Sequence, residues 1–240
     1  MAHNLSGSTT GALKHLYQFG GVGFVGSGLF LLLRTVLDVM AGPPPSNGAD
    51  ILAWSAAHRL PLAFQSEILF GAAVLLVPAV SALYASLAEV DRAKAATGSG
   101  ILALVIPVLA LSLVVHGRLI YPIYGLRADS PEVAAFAVAV FYGGLHAAFL
   151  LLAVATVFLS LAMWRSAYGR ATAWLGFVSA AFDLLDGYPD LIGPRLTLLS
   201  QAVATAWFVV VGVRLFRMRP DGTSALPSRP TSREPPPPRS

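Results

Sequence analysis

The sequence predicts an all-α fold, a polytopic membrane helix bundle of about six transmembrane helices, on three observations. The chain is 56% hydrophobic and only 12% charged, whereas a soluble domain carries roughly a quarter charged residues. Its apolar residues come in runs of about 20, the length that crosses ~30 Å of hydrocarbon at 1.5 Å per residue. Short polar stretches separate the runs, and mean hydropathy over the 240 residues is +0.70. Water is absent from the bilayer core, so each run must satisfy its own backbone and is expected to be helical.

Hydropathy and helix breakers place the spans at about 17–40, 61–87, 98–118, 132–160, 171–187 and 195–216. Residues 1–16 form an N-terminal segment, and 17–218 the six-helix domain. Lys14 and His15 precede an apolar stretch of about 24 residues, too long for the h-region of a cleaved signal peptide. That stretch opens with Gly20, Gly21, Gly23, Gly26 and Gly28, which let a neighbouring backbone come close. It ends before Gly42-Pro43-Pro44-Pro45, and Ile51-Leu52-Ala53-Trp54 reads as a short helix lying in the interface. Pro61 suits the first turn of the second span. Pro78 and Pro107 fall inside the second and third spans and are expected to bend them. Gly23-Phe24-Val25-Gly26 is echoed by Gly176-Phe177-Val178-Ser179, too short a match to establish a repeat. Residues 219–240 turn to Pro, Ser, Arg and Thr, a composition expected to stay disordered as a cytoplasmic tail.

Basic residues set the orientation. Lys14, Arg92, Lys94, Arg165, Arg170, Arg214, Arg217 and Arg219 fall on one side, against Arg59, Arg118, Arg127 and Arg195 on the other. Eight against four puts both termini in the cytoplasm, in a multi-pass protein of the inner (plasma) membrane. Trp164, Trp174, Tyr17 and Tyr168 then lie near the cytoplasmic interface and Trp54 near the outer one.

Composition also excludes classes of function. There is no cysteine, hence no disulfide, thiolate metal site or cysteine nucleophile. The net charge of +4 comes without a basic stripe interleaved with aromatics, which argues against nucleic acid as a partner. Walker loops, Gly-rich dinucleotide turns and an ordered Ser-His-Asp set are missing, and no cofactor or metal is expected.

Charged side chains within spans are functional candidates by default. Arg34 and Asp38 are four apart on one face of the first span and can pair. Glu67 lies near the outer end of the second, two residues after Gln65; His116 and Arg118 close the third. Tyr142 and His146 share a face of the fourth, and Asp183 and Asp186 a face of the fifth, before Gly187-Tyr188-Pro189-Asp190. These groups share one depth, the outer half, and the cytoplasmic half is nearly free of ionisable residues. If they face inward they line a pocket open to the outer side. Three carboxylates at a similar depth cannot all ionise in a low-dielectric pocket, and a carboxyl that keeps its proton is what a general acid requires. The plainer explanations are a structural Arg34–Asp38 pair, interfacial arginines snorkelling to phosphates, a satisfied core histidine, and aspartates at a wet helix end.

The six-span layout, with an outer loop and amphipathic helix before the second span and a closing Val209-Val210-Val211-Gly212-Val213-Arg214-Leu215, resembles an uncharacterised family of six-helix bacterial membrane proteins. The likeness covers about residues 17–216 and implies a fold without a mechanism. The Ala-, Val-, Gly-, Pro- and Arg-rich usage resembles that of a high-GC bacterium. In chemistry, though in no signature motif, the acids resemble those with which small membrane terpene cyclases protonate a polyene or epoxide.

Several functions remain open. An enzyme doing acid–base cyclisation or isomerisation on a lipid-soluble, terpenoid-like substrate would use Asp183 or Asp186 as donor and Glu67 or His146 as acceptor. Tyr142, His116, Arg118, Tyr121, Arg34 and Trp207, with Tyr124, would shape the substrate site or steady positive charge. A proton-coupled carrier would use the same carboxylates but lacks a clear repeat and a polar path through the cytoplasmic half. A metal or haem protein would need His116 and His146, which form no HExxH-like spacing. A non-catalytic membrane subunit is the fourth reading. The bilayer is the one partner the sequence names outright, and the oligomeric state stays open.

Overall fold

The computed structural model describes residues 3–126 and 128–218, with side chains from Gly11 onward except Asp190. Among these residues the chain forms seven helices: α1 (His3–Ala41), α2 (Gly48–Ala57), α3 (Arg59–Leu87), α4 (Arg92–Ile120), α5 (Pro131–Met163), α6 (Gly169–Asp186) and α7 (Pro189–Arg217). The disordered tail expected over 219–240 lies outside the described residues, as does Arg127.

Five helices (α1, α3, α4, α5 and α7) are long and apolar enough to cross a membrane. The expected count of six is therefore met by five. The sixth expected span is α6, shorter at 18 residues, which carries Asp183 and Asp186 and buries only Thr172, Ala173, Gly176, Ser179, Ala180 and the two aspartates. Small and polar residues toward the bundle leave it less apolar than its neighbours. Phe19, Leu104, Leu111 and Phe136 are each more than half exposed. Such apolar surface is unsuited to water and natural against lipid, and the chain is a multi-pass helical membrane protein.

The six long helices form a ring in chain order, each packed against the next, with α7 closing back onto α1. Links of two to five residues join α3 to α4, α5 to α6 and α6 to α7, so these neighbours run antiparallel. An even number of helices lets the ring close with every adjacent pair antiparallel. The short α2 crosses one end of the ring, packing on α5, α4 and α3. That end is called the α2 end below; the other carries the chain termini.

Local sequence explains the helix ends. Asn47 caps α2 through the amide of Asp50, Asp91 caps α4 through that of Lys94, and Ser130 precedes Pro131 at the start of α5. Helices α3 and α4 run on through Pro78 and Pro107. The first turn of α7 is broken at Gly193 (φ 73°), ahead of Pro194, which is why the apolar run reads as starting near 195.

The glycines of α1 serve two neighbours. Gly20 and Gly23 sit against Ala82 and the Leu75 carbonyl of α3, while a Cβ at Gly21 would lie 2.6 Å from the Gly212 carbonyl of α7. Ser27 donates to the Ala72 carbonyl at 3.0 Å on the α3 side. Phe24 fills the space between, stacked on Phe208 at 4.4 Å and edge-on to Trp207 at 5.4 Å. A second apolar cluster, around Ile51, Trp54, Leu62, Leu119, Ile120 and Val138, seals the ring beneath α2.

Candidate functional site

The polar groups converge inside the ring at the α2 end. On α1 the four-residue spacing brings Arg34 to 3.3 Å from Asp38 Oδ2. The other oxygen of Asp38 accepts from Tyr142 Oη of α5 at 2.8 Å and from Gln65 Nε2 of α3 at 3.3 Å. One carboxylate thus ties three helices together with both oxygens engaged. Arg34 is buried, only 4% exposed, with its guanidinium carbon 5.9 Å from the centre of the Phe141 ring.

Phe141 also carries His116. The imidazole lies nearly parallel to it, 4.0 Å away and tilted by 17°, and its Nδ1 is 2.9 Å from Ser66 Oγ. Stacking and hydrogen bond together fix the ring of α4 between α3 and α5. Beside them, Thr35 of α1 donates to Gln201 Oε1 of α7 at 3.3 Å.

Helix α6 supplies the acids. Asp183 and Asp186, 1% and 3% exposed, stand one turn apart on its inward face. Asp183 Oδ2 and Asp186 Oδ1 have no hydrogen-bond partner among the described residues. The charges that act on Asp186 are Arg34 and Asp38, and Asp183 in turn feels Asp186. At the end of α6, Nδ1 of His146 is 2.6 Å from the Gly187 carbonyl, and Tyr188 packs edge-on to its ring at 4.8 Å. The centre therefore holds one fixed cation against three carboxyls. The two unpartnered oxygens are where a proton, a cation or a polar substrate atom can bind.

Of the residues singled out from sequence, Arg34, Tyr142, His116, Asp183 and Asp186 come together in this centre, and His146 sits at its rim. Glu67 is a correction: it is exposed on the outer face of α3, because Gln65 and Ser66 take the inward positions and the next residue turns some 100° away. Trp207 is fully buried but lies deeper, where Gly176 leaves room for its indole nitrogen and for Ser160 Oγ. Tyr121 caps α4 and packs with the cluster beneath α2. Arg118 is half-buried in the last turn of α4 with its Nε unpartnered, and no described contact joins it to the centre. Tyr124 is fully exposed in the loop between α4 and α5.

Four contributors were not among the sequence candidates: Ser66, Phe141, Thr35 and Gln201. Gln65 and Gln201 carried a readable signal, an amide within an apolar run. Among the described residues no three His, Asp or Glu side chains are grouped as metal ligands. A groove of about 510 Å³ lies away from this centre, at the opposite end of the bundle between α4, α5 and α6. No family model, curated protein or solved structure matches the chain, so the centre is read from its own geometry.

Proposed function

We propose that this is a six-span protein of the bacterial plasma membrane, with both termini cytoplasmic and α6 as the sixth crossing, that carries out acid–base chemistry at the Asp183–Asp186 pair. At 18 residues α6 lies at the short end of the range of about 17–25 residues that crosses the hydrocarbon. The excess of basic residues at the termini end supports the orientation. The layout is in keeping with the six-helix bacterial family that the sequence resembles.

One observation carries the chemical reading: two buried carboxyls one turn apart on the inward face of α6 each present an unpartnered oxygen, with Asp186 the one that feels the charges of Arg34 and Asp38. The substrate class it favours is a lipid-soluble alkene or epoxide, such as a terpenoid. Asp183 or Asp186 protonates the double bond or epoxide oxygen, and the resulting cation loses a proton from a neighbouring carbon to His146 or the other carboxylate. The product is an isomer or cyclised form of the same composition, so no oxidant or cofactor enters. Confinement of the buried Arg, His and Asp side chains to the α2 end favours this over passage through the membrane.

A carrier is the second reading, and one observation favours it. The inward face of α6 continues through Ser179, Gly176 and Thr172 toward the opposite end, and Thr156 Oγ1, Ser160 Oγ and Trp207 Nε1 are buried beside it without partners among the described residues.

Lipid extracts from cells expressing the wild type, Asp183→Asn, Asp186→Asn and Glu67→Gln, compared by mass spectrometry, test the first reading. A wild-type-dependent isomer should vanish with either aspartate variant and persist with Glu67→Gln. Unchanged lipids, together with Asp183-dependent proton flux in liposomes, would replace the enzyme by the carrier.

A further inference from the structure

The groove at the termini end is lined by a second set of residues unrelated to the acid centre. Asp91 and Lys94 stand at the start of α4, Trp164 and Arg165 at the end of α5, and Trp174 and Phe177 on the first turns of α6. The three rings make one aromatic wall: Trp164 lies 5.7 Å from Trp174 and 6.2 Å from Phe177, and Trp174 lies 5.9 Å from Phe177. Trp174 is 59% exposed. Leu161, one turn before Arg165, extends the apolar side of the groove along the flank of the bundle.

Charge gives the groove its specificity. Lys94 is paired with Asp91. Arg165, also exposed, makes no hydrogen bond or ion pair among the described residues. Two cations against one carboxylate leave one net positive charge, carried by a guanidinium able to grip a phosphate with two parallel hydrogen bonds. A charged mouth, an aromatic wall at headgroup depth and an apolar flank below repeat the order of polarity along a single phospholipid.

We propose that this groove is a binding site for one anionic phospholipid of phosphatidylglycerol type, with its phosphodiester on Arg165, its glycerol region against Trp164 and Trp174, and an acyl chain along Leu161 and Phe177. A phosphodiester of charge −1 matches the net charge of the groove. Zwitterionic phosphatidylcholine lacks that match and would bring a bulky cation against Arg165 and Lys94.

The protein contains its own reporter. Of its four tryptophans two line the groove, whereas Trp207 is fully buried and Trp54 is 8% exposed at the other end. The full-length chain is reconstituted in phosphatidylcholine vesicles, and its fluorescence is quenched with phosphatidylglycerol or phosphatidylcholine bearing acyl-chain bromines. Brominated phosphatidylglycerol should compete for the quenching position about fivefold better than brominated phosphatidylcholine, the effect of one cation at a membrane surface. The preference should disappear in Arg165→Gln, survive in Arg165→Lys and in Arg195→Gln at the opposite end, and weaken as salt is raised. Trp174→Phe should remove much of the quenchable emission. Equal competition by the two lipids in the wild type, or an undiminished preference in Arg165→Gln, would overturn the proposal.

Discussion

The two halves of the ring are held together by different means. Toward the termini, α1 meets its neighbours through glycines, with Gly20 on Ala82 and Gly21 on Gly212, around a filling of Phe24, Phe208, Leu83 and Leu215. Toward α2, the same helices meet through Arg34, Asp38, Gln65, Ser66, His116, Tyr142 and Gln201. Lipid offers no hydrophobic drive for helices to associate, so close backbone packing and interhelical polar bonds are the two means available. In this chain the close glycine contacts lie toward the termini and the charged network toward α2, while single hydroxyl bonds such as Ser27 to the Ala72 carbonyl and Ser86 to Tyr168 occur in the glycine half as well. The glycine half can be rigid, which leaves the polar half free to hold groups that are only partly satisfied.

Perturbing each half sharpens the contrast. The largest effect is expected at the ion pair: Arg34→Met leaves Asp38 without its buried cation and should cost about 3–5 kcal/mol in reversible unfolding from detergent, with Arg34→Met/Asp38→Asn recovering part of the loss. In the glycine half, Gly21→Val pushes a side chain into Gly212 and Phe216 and should cost about 1–3 kcal/mol in the same assay. Gly100 is the counter-test, since a Cβ there meets nothing within 4 Å. Gly100→Ala should stabilise the protein by roughly 0.5–1 kcal/mol, the helix preference of alanine. The smallest effect belongs to the cap of α4. Lys94 beside Asp91 holds that carboxyl below the ordinary carboxylate range, through a side-chain hydrogen bond first. A lowered value contributes stability above the unfolded-state value and loses it as pH falls. Asp91→Asn, still a capping residue, should therefore lower the melting temperature slightly at about pH 6, with the difference shrinking as pH falls below the ordinary carboxylate range.

Much of this could be read from the chain because periodicity carries real information in a helix. Arg34 and Asp38 at i and i+4 had to share a face, as did Tyr142 with His146 and Asp183 with Asp186, and these pairs stand as expected. Helix order followed from hydropathy, and α2 from the residues around Trp54, whereas α1, α4 and α7 begin at His3, Arg92 and Pro189, ahead of the apolar runs expected from about 17, 98 and 195. The failure at Glu67 has a physical cause: in a membrane both faces of a helix are apolar, so hydropathy fixes depth but not rotation. Glu67 has the right depth and the wrong azimuth, and Ser66, the actual partner of His116, is its immediate neighbour. Trp207 lies on the inward side but too deep. Phe141 was invisible because nothing in its sequence position marks it as the ring that carries both Arg34 and His116. The less apolar character of α6 reflects the polar face that makes it the helix of interest.

Rotation of α3 is thus the feature on which the polar centre depends, and the absence of native cysteine allows it to be tested cleanly. Single-chain pairs Ser66→Cys/His116→Cys and Glu67→Cys/His116→Cys, treated in membranes with a short thiol-to-thiol cross-linker and assayed by mass spectrometry after proteolysis, compare the two registers directly. Cross-linking of the Ser66 pair alone is the expected result. Efficient cross-linking of the Glu67 pair with none of the Ser66 pair would turn Glu67 inward, remove Gln65 from Asp38, and contradict the centre described above.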